Sequence, residues 1–130
     1  MKILIIKQRT IGDVILLTPL LHNIKKSVPN STIDVLLNKG TEDILNCNTD
    51  VSTLIVYRKK YISSFSKIVS EIRLFFNVYK KKYDVVIDLD KGDRGMFVSK
   101  FSRAKIRIGS PGVEKNIFSN TYTDILPKHE

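Results

Sequence analysis

Ile3-Leu4-Ile5-Ile6, then Lys7-Gln8-Arg9-Thr10, then Ile11-Gly12-Asp13 open the chain as an apolar run, a polar turn and the start of a second apolar segment. A short continuous run rich in β-branched side chains is a strand buried on both faces, as in a parallel sheet. Beyond Asp13, Leu16, Leu17, Leu20, Leu21 and Ile24 recur at helical spacing, so the segment is a buried helix. Pro19 lacks a backbone donor. It should kink that helix, or restart it with Thr18 as cap and Pro19 at the first position. Pro29-Asn30 ends it.

The same alternation continues down the chain. Thr32 to Leu37 reads as a second strand, Gly40 to Asn46 as a short helix capped by Thr41, and Thr53 to Tyr57 as a third strand. Phe65, Ile68, Val69, Ile72, Phe75, Phe76 and Tyr79 mark an amphipathic helix over Ser63 to Lys81. Val85 to Ile87 is a fourth strand, followed by a loop from Asp88 and a short helix from Gly95 to Ser102. Lys105 to Ile108 is a fifth strand, with a last one around Tyr122 to Ile125. Strands alternating with helices indicate a parallel sheet covered on both faces by right-handed crossovers. The fold class is therefore α/β: a Rossmann-like domain spanning residues 1–130. There is no internal repeat. The ending Leu126-Pro127-Lys128-His129-Glu130 has no linker character, and the reading expects a piece of something longer.

Lys and Arg total 22 against 13 acidic residues, a net charge of +9. A surplus of this size favours anionic partners: nucleic acid, acidic headgroups or a phosphorylated small molecule. Cys47 is the only cysteine, so no intrachain disulfide can form, and with only His22 and His129 a Cys/His metal site is a poor reading. His22 reads as structural, Cys47 as a packed thiol, and Tyr57, Tyr61 and Tyr83 as packing residues rather than a base-stacking platform. No secretory signal or bilayer-spanning run is evident, so a cytoplasmic location is expected.

Sites in open parallel sheets lie outside the carboxyl ends of the strands. Those ends are Lys7 to Asp13, Asn38 to Gly40, Arg58 to Lys60 and Asp88 to Arg94. The first loop has glycine only at position 12, so it is no G-x-G-x-x-G fingerprint, and no P-loop sequence occurs. Asp13 has two readings: a cap suited to the positive end of a helix, or a general base at the rim. Asp88-Leu89-Asp90 has the form of a D-x-D metal motif. Beside Lys91 and Arg94, however, its carboxylates read as salt-bridged or hydrogen-bonded.

Ile3 to Lys7 with Gly12-Asp13-Val14-Ile15-Leu16-Leu17-Thr18-Pro19-Leu20 resembles the opening of the bacterial ADP-heptose:lipopolysaccharide heptosyltransferase family, the inverting glycosyltransferases of family 9. Ile33 to Leu37, Tyr83 to Leu89 and Ala104 to Gly109 follow in the family's order, and the details lean toward the branch that adds the third core heptose. The resemblance implies a GT-B enzyme whose N-terminal domain holds a lipid-linked core acceptor, while an absent C-terminal domain holds ADP-heptose. Asp13 would take the acceptor's proton, and no cofactor or metal is implied. The acceptor-binding set would be Lys7, Arg9, Thr10 and Gly12, then Arg58, Lys59 and Lys60, then Lys91 and Arg94. The basic surplus would meet an anionic inner-membrane surface, with the protein peripheral to it. Asp90-Lys91-Gly92-Asp93 is more charged than in many relatives and leaves the acceptor open. The resemblance also implies that this domain alone is inactive and exposes an apolar interdomain surface. The rival readings are a basic nucleic-acid-binding module and another nucleotide-sugar enzyme.

Overall fold

In the computed structural model, residues 1–8, 10–57, 63–111 and 121–127 are described. Among them run β1 (Lys2–Ile6), α1 (Ile11–Ile15), α2 (Leu17–Ser27), β2 (Thr32–Asn38), β3 (Thr53–Tyr57), α3 (Ser64–Lys81), β4 (Val85–Asp88), α4 (Asp93–Ser102), β5 (Ile106–Gly109) and β6 (Asp124–Ile125). The six strands among the described residues form one sheet in the order β3-β2-β1-β4-β5-β6. Every pairing is parallel. This is the expected Rossmann-like architecture, with the strand order reversing between β1 and β4.

β1 lies at the centre because its two sides are both occupied: Ile3 pairs with Ile33 of β2 and with Val85 of β4. Its side chains alternate between two cores. Ile3 and Ile5 join Val14, Leu17 and Leu21 beneath α1 and α2. Leu4 and Ile6 join Leu74 and Val78 of α3 and Val98 of α4 on the opposite face. Burial on both sides is why the run needs no polar alternation.

Several boundaries differ from the sequence expectation. The first helix breaks at Leu16, before Thr18 and Pro19. Pro19 offers no N–H to the Ile15 carbonyl four residues earlier, so the ladder fails one turn ahead of the proline. Gly40 to Asn46 forms only a 3-10 turn, Glu42–Ile44. Its would-be cap, Thr41, donates its hydroxyl to the Asn38 carbonyl instead, at 2.8 Å. Leu45 fills the core, and Cys47 is exposed rather than packed. α3 is capped as its sequence suggests, with Ser63 Oγ accepting from the Ser66 amide at 3.2 Å. α4 starts at Asp93, two residues before Gly95.

Candidate functional site

Each helix that follows a strand begins at the carboxyl edge of the sheet, so the polar loops collect there. An open cleft of about 510 Å³ lies at this edge, lined by Gln8, Asn38, Tyr57, Lys67, Asp90 and Arg94 among others. Asp90 ties the first loop to the fourth: it accepts from the Gln8 amide, and its carboxylate lies 3.8 Å from Lys7 Nζ. Lys7 also donates to the Leu89 carbonyl at 3.3 Å. Asn38, at the end of β2, donates Nδ2 to the Gln8 carbonyl at 2.8 Å. The buried Gln8 Nε2 and Asn38 Oδ1 have no hydrogen-bond partner among the described residues. One is a donor and the other an acceptor, and both atoms lie beneath the cleft surface.

Arg94 closes the far wall. Its guanidinium lies 3.5 Å over the Tyr57 ring, and Nη2 is 2.8 Å from Glu71 Oε1. Tyr57 donates its hydroxyl to the same oxygen at 2.9 Å. Burial lowers the Arg94 pKa and raises that of Glu71. Arginine remains charged through such shifts, so the fork is a fixed cation with part of its edge facing the cleft.

Asp13 is the third residue of α1, and the cap position belongs to Thr10, whose side chain caps nothing. Instead, Thr10 Oγ1 donates to Asp13 Oδ2 at 3.0 Å. The cap reading of Asp13 is thus corrected, while its place in a helix first turn stands. Among the described residues, nothing lies within 4 Å of where a Cβ on Gly12 would sit. Lys7, Thr10, Gly12, Asp13 and the exposed Lys91 stand outside the cleft lining, Lys7 touching it only through Asp90. Arg9, Arg58, Lys59, Lys60 and Tyr61 lie outside the described residues.

The two carboxylates of Asp88-Leu89-Asp90 are held by different partners, Asp90 by the Gln8 amide and Lys7. Asp88 is fully buried at the end of β4, where Tyr122 donates its hydroxyl at 2.5 Å and the Asp90 amide donates at 2.9 Å. Gly95 is required here: a Cβ would stand 2.3 Å from the Asp88 carboxylate. Burial pushes the Asp88 carboxyl up to about 6, against the hydrogen bonds from Tyr122 and Asp90 that lower it. Elsewhere, His22 pairs with Asp50 at 3.4 Å, joining α2 to the turn before β3. Tyr83 is buried, with its hydroxyl on Asp34 at 2.6 Å.

Sequence reasoning placed Lys7 and Arg94 in the strand-end loops but missed Gln8, Lys67 and Tyr57 as cleft residues. The Asn38 signal was available: an amide ending an otherwise apolar strand is a buried polar group in need of a purpose.

No family model matches the chain. Among curated proteins it is similar to lipopolysaccharide heptosyltransferase 3 of Escherichia coli. It is 29% identical over 118 residues, 89% of this chain and 35% of that protein. The corresponding protein of strain K12 is 27% identical over 120 residues, 91% of this chain and 35% of that protein. The chain therefore spans about a third of the length of the curated relatives it matches. Among solved structures, a glycosyl transferase family 9 protein from Veillonella parvula superposes with a TM-score of 0.83 at 25% identity, covering 99% of this chain and 36% of that one. Escherichia coli heptosyltransferase WaaC with ADP superposes with a TM-score of 0.82 at 20% identity, covering all of this chain and 42% of that one, a likeness of fold.

Proposed function

We infer that this chain, similar along almost its whole length to the heptosyltransferases, is the acceptor-side domain of an inverting glycosyltransferase. The enzyme would move heptose from ADP-heptose to the inner core of lipopolysaccharide at the cytoplasmic face of the inner membrane. The observation that carries this reading is the collinear match of sequence and fold to about one third of such enzymes. The rim chemistry supports it. A hydroxylated, anionic acceptor would meet Gln8, Asn38 and Lys67 of the cleft lining and the fixed Arg94 cation. Asp13 would accept the proton of the attacking hydroxyl, whose oxygen then bonds to the anomeric carbon as the bond to ADP breaks on the opposite side. The Thr10 hydroxyl would hold the Asp13 carboxylate for that role. Charge gathers on the departing diphosphate, which a second, donor-binding domain would stabilise.

Titration of this chain with a phosphorylated inner-core oligosaccharide, followed by amide NMR, tests the acceptor site. Shifts centred on Gln8, Asn38 and Arg94 are expected. Silence there, with steeply salt-dependent binding to arbitrary DNA, would move the reading to the nucleic-acid class. In the enzyme that joins both halves, Asp13→Asn is expected to lower kcat by at least about 10²-fold without shifting the melting temperature. Near-normal turnover of that variant would leave Asp13 with a structural role only.

A further inference from the structure

Apart from Phe75, which packs against the buried cluster, the amphipathic stripe of α3 does not face the core. Leu74 and Val78 make the contact with the sheet, roughly 160° around the helix from Ile72 and Phe76 at ~100° per residue. The stripe itself faces outward: Phe65 is 75% exposed, Ile72 62% and Phe76 60%, with Ile68 and Tyr79 exposed beside them. It continues onto α4, where Phe101 meets Phe75 with ring centroids 5.0 Å apart, beside an open groove of about 420 Å³. An apolar face this continuous on a soluble domain marks a docking surface.

Its charge says what docks. Lys80 Nζ lies 5.9 Å from the Phe76 ring centroid, and Arg103 lies 5.6 Å from that of Tyr79. Of the cations of Ser64–Lys81, Lys67 lines the cleft and Lys81 pairs with Asp34, which leaves Arg73 and Lys80, and the helix holds one carboxylate, Glu71. Glu71 is turned away to Arg94 and Tyr57. The face therefore offers exposed aromatic rings flanked by cations, the composition of a helix that lies in an anionic lipid interface. A second copy is a poorer occupant, because a two-fold contact would bury two cation-flanked faces together and gather Lys80 and Arg103 of both copies into one interface.

We propose that the outer face of α3, with the adjoining edge of α4, docks on an anionic bilayer surface, the rings at headgroup level and Lys80 and Arg103 on lipid phosphates. This rests on the membrane attachment inferred above and assigns its surface. The same helix carries Lys67 into the cleft lining.

Co-sedimentation of the 130-residue chain with phosphatidylcholine vesicles, with and without phosphatidylglycerol, tests this. The wild type should bind only the anionic vesicles. Ile72→Ser/Phe76→Ser and Lys80→Glu/Arg103→Glu should each weaken binding at least about tenfold. Lys26→Glu/Lys39→Glu, the same charge change away from this face, should have a much smaller effect. Melting curves and gel filtration accompany each variant. If the wild type ignores anionic vesicles, both the docking and the membrane attachment fail, while the oligosaccharide titration still judges the acceptor site. If both charge pairs weaken binding equally, attachment stands and this surface is wrong. If the α3 variants alter only self-association, the face is an interface between copies and the proposal falls.

Discussion

The two faces of the sheet are built differently. Beneath α1 and α2 the buried cluster is hydrocarbon alone: Ile3, Ile5, Val14, Leu17, Leu21, Ile33, Val35, Leu37, Leu45 and Val85. Beneath α3 and α4 the strands also bury carboxylates. Asp34 is held by Tyr83 and Lys81, and Asp88 by Tyr122 and the Asp90 amide. The helices differ in the same sense. α2 turns its apolar residues inward, whereas α3 contributes Leu74 and Val78 to the core and leaves its larger apolar stripe in solvent. One face is built for stability. The other gives up part of its apolar burial and carries buried charge, the pattern expected where a domain meets a ligand or a surface.

The largest expected effect lies on the hydrocarbon face. Leu21 is completely buried in α2, so Leu21→Ala should cost about 3–4 kcal/mol through lost transfer energy and a cavity. Denaturant unfolding measures it. A loss below about 1 kcal/mol would mean that this face packs no more tightly than the other.

Next comes a pH dependence that belongs to the carboxylate face. Burial raises Asp88 from 3.8 to about 6, so the unfolded chain ionises there first. The folded state is favoured most below about pH 4, and this contribution is lost as pH rises through about 6. The loss amounts to about 3 kcal/mol at most. Glu71, raised mainly by burial, acts in the same direction. In Asp88→Asn the fall between pH 4 and pH 7 should shrink by most of that amount, while Leu21→Ala should keep the wild-type slope. Thermal unfolding at the two pH values distinguishes them, and an unchanged slope in Asp88→Asn would remove Asp88 as its source.

These differences were unevenly legible in the residues. A continuous apolar run such as Ile3-Leu4-Ile5-Ile6 admits one reading, because only a strand covered on both sides tolerates it. The sheet and its carboxyl edge followed from that. Periodicity identifies α3 as a helix but cannot say which side meets the sheet. The contact is made by Leu74 and Val78, whose spacing is equally helical. Asp88 looked like the start of a loop because carboxylates are rare in buried strands. Its burial depends on Tyr122, 34 residues away, and on the missing Cβ of Gly95, relations that no local window contains. Lys67 lies on α3, and only the fold brings it to the cleft. Of the candidate site, Lys7 and Arg94 could be read from their loops, while the unpaired amides of Gln8 and Asn38 appear only with neighbours in place.

The smallest expected effect sharpens the contrast most, because it is the absence of a penalty where the sequence pattern demands one. If the α3 stripe were core, Ile72→Ser would remove a buried aliphatic chain and bury a hydroxyl, at a cost of several kcal/mol. Ile72 is instead 62% exposed, as is most of the ridge it belongs to. Ile72→Ser should therefore change unfolding stability by no more than about 0.5 kcal/mol, the range of ordinary surface substitutions. Val78→Ala, on the same helix and fully buried, should cost clearly more despite removing fewer atoms. Urea unfolding of the two variants side by side ranks them. Val78→Ala as the milder change would invert the orientation of α3, bury the stripe, and take with it the argument that this face is free to meet a membrane.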